Sequence, residues 1–177
     1  LDGINDRSVD GSMEKEAPGI FGRMTTPLRI SMGSDHAGFA VKEHLVAWTR
    51  AQGYEVVDHG THGEESVDYP RFAHAVARDV EQGGFLGVVV CGSGNGVNIS
   101  ANKHPGVRSA LAWRPDVAAL ARQHNDANVL AIPGRYVTPQ EAEAILQAFL
   151  QAGFEGGRHQ RRVEAIEQQG RCTSTNP

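Results

Sequence analysis

Residues 88–103 read Val-Val-Val-Cys-Gly-Ser-Gly-Asn-Gly-Val-Asn-Ile-Ser-Ala-Asn-Lys, an apolar β-branched run that stops at Cys91 in a glycine-rich turn. Val88, Val89 and Val90, preceded by Phe85 and Leu86, have the pattern of a strand buried on both faces inside a parallel sheet. Gly92, Gly94 and Gly96 then free the backbone, so that several N–H groups can turn toward one point. A helix over Val97 to Lys103 would add its unpaired N-terminal amides to this partly positive cup, which suits a bound or transient anion. Cys91 stands at the rim, where such amides favour thiolate over thiol. A strand-end cysteine is also a common small core residue, and the turn can be a bare strand-to-helix connection. A dinucleotide loop needs G-x-G-x-x-G. The spacing here is G-x-G-x-G, and the acidic residue downstream, Asp116, falls at a helix start rather than a strand end.

Outward from this stretch, strands and helices alternate. Leu28 to Met32 forms a first strand ending in Gly33-Ser34-Asp35-His36-Ala37-Gly38, and a helix follows with Val41, Leu45 and Trp48 on one face and Gly53 closing it. Glu55 to Asp58 is a second strand, and the polar loop from His59 ends in Asp68-Tyr69-Pro70. Pro70 suits the first turn of a helix whose Ala73, Val76, Ala77 and Val80 recur at i, i+3, i+4 and i+7. Beyond the glycine turn come a strand from Arg108 to Ala112, a helix from Pro115 to Gln123 with Val117, Leu120 and Ala121 inward, and a strand from Val129 to Ile132. Thr138 caps a long helix with Ala142, Ile145, Leu146, Phe149 and Leu150 on its apolar face. A mostly polar last helix, from about Arg158 to Gln168, is expected to leave the body of the domain.

This alternation specifies a single-domain, doubly wound (Rossmann-like) α/β fold: a five-stranded parallel sheet with helices on both faces. Ligands of such sheets bind at the carboxyl ends of the strands. Cys91, Asp35, His36 and the loop after Ile132 all fall there.

At 177 residues the chain suits one domain with a proper core. The domain is expected over 28–169, between polar tails at 1–27 and 170–177. A net charge of −4 argues against a nucleic-acid surface, so a bound phosphate needs a local basic cluster. Two cysteines far apart, Cys91 and Cys172, fit a reducing compartment. No apolar run nears the ~20 residues of a membrane span, and residues 1–27 lack a signal-peptide core. The expectation is a cytoplasmic protein without membrane contact.

Other side chains stand out, each with an ordinary reading beside the functional one. Asp35 and His36 can reach a ligand or simply cap a helix. His124, in Arg122-Gln123-His124-Asn125-Asp126, ends a helical stripe, where a histidine is often a satisfied core group. Arg158 and Arg162, four apart, can grip one phosphate or face solvent. His59-x-x-His62 lacks further ligands and reads as loop, with no metal site.

Together these residues resemble the ribose-5-phosphate isomerase B family, whose sister group is the galactose-6-phosphate isomerase subunits. The resemblance runs from about Leu28 to Glu167. It is carried by Gly33-Ser34-Asp35-His36-Ala37-Gly38-Phe39, Asp68-Tyr69-Pro70, Cys91-Gly92-Ser93-Gly94-Asn95-Gly96, Ala101-Asn102-Lys103, Arg122-Gln123-His124-Asn125-Asp126-Ala127-Asn128 and Glu155-Gly156-Gly157-Arg158-His159.

The resemblance implies interconversion of ribose 5-phosphate and ribulose 5-phosphate through an enediolate. Its base is either a cysteine at the end of the third strand or a glutamate just after the glycine turn. This chain has Cys91 at the first position and Val97 at the second. By the same resemblance the amides of Gly92, Gly94, Asn95 and Gly96 stabilise the enediolate, Ser93 handles hydroxyl protons and His124 opens the sugar ring. Asp35, Tyr69 and Asn125 hold the sugar, and His36, Arg135, Arg158 and Arg162 the phosphate. No metal or organic cofactor is implied. A homodimer or dimer of dimers with shared sites is implied, its C-terminal helix packing on the partner. The competing readings are an isomerase of a six-carbon sugar phosphate such as allose or galactose 6-phosphate, and a non-catalytic module binding a sugar phosphate or nucleotide. A nicotinamide-dependent oxidoreductase fails on glycine spacing.

Overall fold

Strand β3 (Phe85–Cys91) lies at the centre of the sheet, where its uninterrupted apolar run predicts. The computed structural model describes residues 28–168, so both expected tails lie outside the described residues. The elements follow as β1 (Arg29–Ser34), α1 (Phe39–Ala51), β2 (Glu55–Asp58), α2 (Pro70–Gln82), β3, α3 (Asn95–Ala101), β4 (Ser109–Leu111), α4 (Pro115–Asn125), β5 (Val129–Pro133), α5 (Pro139–Gln151) and α6 (Arg158–Glu167). All pairings are parallel and the strand order is β2-β1-β3-β5-β4. The expected five-stranded, doubly wound sheet is therefore present, with β3 paired to β1 through Val90 and to β5 through Cys91.

The alternation of β3 divides its side chains between two cores. Val88 and Val90 join Ile30, Met32, Leu45, Leu130, Ile132, Ile145 and Phe149 beneath α1, α4 and α5. Val89 and Cys91 join Ala73, Val76, Ala77, Val97 and Ala131 beneath α2 and α3. Each fully buried aliphatic contributes roughly 1.5–3 kcal/mol. The stripe expected on α2 is buried, and Thr138 caps α5 through a reciprocal capping box with Glu141.

Two helices pack otherwise than the sequence leads one to expect. Leu120 is exposed, and Ala118 takes the inward position with Ala121 where α4 packs on α5. Helix α6 does not leave the domain: it packs on α4 by burying His159 and Val163, which leaves Ile166 exposed.

A buried lysine braces the loop that overhangs the sheet. Lys42 of α1 has no exposed surface and donates to both oxygens of Asp58 at 2.8 and 2.7 Å. Asp58 Oδ1 also accepts the Gly60 N–H. Removing one partner of such a pair costs about 3–5 kcal/mol, since the other charge stays buried. The loop is tied further where Asp79 of α2 accepts from Ser31 Oγ and pairs with His59 Nε2, both at 2.7 Å.

No helix among the described residues is long and apolar enough to cross a membrane.

Candidate active site

Because β1 connects to β2 on one side while the chain returns to β3 on the other, the loops leaving β1 and β3 diverge and open a crevice at the carboxyl rim. A cavity of about 370 Å³ occupies it, lined by Asp35, His36, Ala37, Tyr69, Cys91, Gly92, Ser93, Gly96 and Arg135. The strand ends expected to converge do converge.

Each lining residue is held from below. Asp35 is buried, and its Oδ1 accepts the Gly38 N–H at 2.9 Å, so one carboxylate both caps the start of α1 and faces the cavity. His36 Nδ1 accepts the Val67 N–H at 3.3 Å, which leaves Nε2 to carry the proton of the neutral ring. The Tyr69 ring lies on Gly96, where a Cβ would come within 2.6 Å of Cζ. Arg135 donates its backbone N–H to Gly92 O at 3.1 Å. Cys91 is a free, buried thiol that lines the cavity and packs in the same apolar cluster as Val97. Val97 itself is fully buried and outside the cavity lining.

The loops after β1 and β5 cross over the end of β3 backbone against backbone. A Cβ on Gly38 would sit 2.7 Å from Val90 O, and one on Gly134 would sit 3.2 Å from Gly38 Cα. Gly94 has φ 74° as the residue before α3 and is buried against Leu111 and Pro133. Neither Gly94 nor Asn95 is part of the cavity lining, and α3 begins two residues earlier than the sequence predicts.

His124, Asn125, Arg158 and Arg162 do not line this cavity either. They gather at the carboxyl end of α4 and the start of α6. Asn125 faces another cavity, of about 420 Å³, shared with His104, Arg108 and Ile166. His124 is stacked on His159, with ring centroids 4.2 Å apart and planes 4° from parallel. Its Nε2 lies 3.7 Å from Glu155 Oε2, and the Glu155 N–H donates to Gln123 O. Burial, followed by the neighbouring His124, Arg158 and Arg162, holds the His159 pKa below its usual 6.5, against an opposing pull from Glu155. Asp126, in the left-handed region at φ 45°, closes α4 and pairs with Arg108 and Arg122.

Among the described residues, two groups have donor atoms close enough for a cation, His124 with Glu155 and His159, and Glu43 with Asp58 and His62. Neither fits one well. Parallel stacked imidazoles cannot both point a lone pair at one ion, and both Asp58 oxygens are taken by Lys42. Sequence reasoning missed Glu155 and His159 as individual residues, although both stand in a motif it singled out.

A cysteine, a glycine turn, an aspartate, a histidine, a tyrosine and an arginine around a crevice at the sheet's switch point define an α/β enzyme with a small polar ligand site. A family model described as ribose/galactose isomerase matches residues 30–166. The chain is 47% identical over 139 residues to the ribose-5-phosphate isomerase B of Escherichia coli K12, a match covering 78% of this chain and 93% of that protein. The ribose-5-phosphate isomerase B structure from Clostridium thermocellum superposes with a TM-score of 0.79 at 45% identity, over 80% of this chain and 97% of the other. That from Mycoplasma genitalium, with bound ribulose-5-phosphate, gives 0.79 at 42% identity, over 82% and 97%. The chain belongs to the ribose/galactose isomerase family, and so is an isomerase.

Proposed function

We propose that the protein interconverts D-ribose 5-phosphate and D-ribulose 5-phosphate, with Cys91 as the base. The observation that carries this reading is Cys91 in the wall of a cavity whose other polar side chains are Asp35, His36, Tyr69, Ser93 and Arg135. It is supported by the 42% identical relative whose structure holds ribulose-5-phosphate.

In the forward direction the Cys91 thiolate removes the C2 proton of the open-chain aldose, giving a thiol and an enediolate. The thiol then returns the proton to C1, and Ser93 exchanges the hydroxyl protons. Amides at Gly92, Ser93 and Gly96, the turn residues that line the cavity, meet the charge that develops on oxygen, where preorganised donors act most strongly. Asp35 and Tyr69 hold sugar hydroxyls, while His36 and Arg135 hold the phosphate. The reaction moves only protons and requires no cofactor.

His124 as ring-opening acid, Asn125 as a sugar contact, and Arg158 and Arg162 as further phosphate ligands complete the site from a second copy of the chain, because in one chain they lie outside the cavity. The assembly is a homodimer or a dimer of dimers. The deciding experiment is a coupled assay of ribose 5-phosphate against allose 6-phosphate and galactose 6-phosphate. Preference for a six-carbon substrate replaces the pentose assignment, and tight binding without turnover replaces the enzyme by a binding module.

A further inference from the structure

We infer that His159 is a positioning residue, which holds the ring of His124 by stacking and the guanidinium of Arg158 by a hydrogen bond. The inference rests on the roles proposed above for His124 and Arg158.

Helix α6 is polar and mostly exposed, yet His159 is one of only two residues it buries, and its ring is what α6 lays on the end of α4. With planes 4° apart and centroids at 4.2 Å the two rings stack in parallel, a contact that opposes swinging of the His124 ring about its own side chain. Glu155 is the carboxylate nearest that ring, with its Oε2 3.7 Å from His124 Nε2. On its other side His159 is specific too. The Arg158 Nε–H donates to His159 Nε2 at 3.3 Å, so the neutral ring carries its proton on Nδ1.

A second requirement is charge. Three potential cations crowd His159, namely His124, Arg158 and Arg162, and with burial they disfavour its protonation. His159 therefore meets His124 as an uncharged π face, attractive to that ring when it is protonated. A cation at position 159 would repel both the acid and the arginine. An aliphatic side chain would pack there without orienting either. An imidazole satisfies the stack and the acceptor together.

The test uses the full-length protein and three variants, His159→Phe, His159→Gln and His124→Asn, assayed from ribose 5-phosphate and from ribulose 5-phosphate, which cannot close to a furanose. Phenylalanine keeps a stacked ring and loses the acceptor. It is expected to raise KM by about tenfold with kcat within about threefold of native. Glutamine can accept from Arg158 and cannot stack. It is expected to lower kcat from ribose 5-phosphate by about tenfold or more, to act less on the reaction from ribulose 5-phosphate, and to leave KM near native. Melting temperatures separate this from simple loosening. If the two His159 variants change kcat and KM alike, or if their losses follow melting temperature alone, His159 is packing and the inference falls. If His124→Asn turns over ribose 5-phosphate normally, the assignment of His124 is what fails, and that result is independent of the His159 variants.

Discussion

The cavity around Cys91 is made by strand ends and backbone crossings in the middle of the sheet, whereas the cluster around His124 is made by long charged side chains on two outer helices joined through few buried residues. In the first, a residue such as Asp35 is buried and its carboxylate already satisfies a helix amide. In the second, Arg158 and Arg162 are exposed and α6 holds to the body through His159 and Val163. The difference teaches where rigidity is required. Carbon-proton transfer needs donor and base held to a fraction of an ångström, and strand ends in a packed core supply that. The phosphate binding and ring opening proposed for the second cluster tolerate a docked helix, which suits the proposal that a second copy of the chain supplies it.

This contrast would break first at Cys91. The Cys91→Ala variant is expected to fold, to bind a sugar phosphate still, and to lose about 10³-fold or more in kcat. Near-native turnover would place the base elsewhere. Alkylation of the native enzyme should inactivate it, with protection by substrate. Since Cys91 and Val97 share one apolar cluster, Cys91→Ala combined with Val97→Glu opens space for a carboxylate to extend toward the cavity, and recovery of part of the lost rate is expected.

A smaller effect is expected from the outer arginines. Arg158→Ala or Arg162→Ala should raise KM by about tenfold with less change in kcat, as for binding shared by ground and transition states. Steady-state kinetics decide it, and a change in kcat alone would mean that neither holds the phosphate.

The docking of α6 should also respond to acid. His159 takes a proton less readily folded than unfolded, so below about pH 6.5 the unfolded chain binds more protons and stability falls as the pH drops toward the folded value. Above that pH the contribution is constant. Thermal melts at about pH 7.5 and pH 5 should therefore show a larger loss for the native protein than for His159→Phe. The smallest effect is expected from a chelator, which should leave the activity unchanged. Loss restored by a divalent ion would overturn the cofactor-free reaction.

What was legible in the sequence follows the same division. A β-branched run such as Val88-Val89-Val90, stopped by glycines, favours a strand with both faces covered, and the spacing of Ala73, Val76, Ala77 and Val80 favours a helix with one face covered, so sheet and layers were readable. Strand order was not, because each crossover is equally compatible with several neighbours. Leu120 was misplaced because its size and apolarity outweighed the small Ala118, which the helix in fact turns inward. The gathering at the carboxyl rim followed from topology, yet the separation of His124 and Arg158 from Cys91 did not. Motifs in one chain carry no mark of which copy they serve. His159 escaped because a histidine between arginines reads as a solvated face until the stack beneath it is seen.

The crossing of Gly38 and Gly134 over the end of β3 bears on how this scaffold can be altered. Randomising the loops after β1 and β5 to widen substrate range would waste nearly every codon at Gly38, where any side chain meets the Val90 carbonyl, and many at Gly134, where the fit against the Gly38 backbone is tight. The useful diversity lies outside that crossing, at Tyr69 and on the exposed face of α6. A library confined to those sites alters the depth and charge of the mouth while every member inherits the same floor.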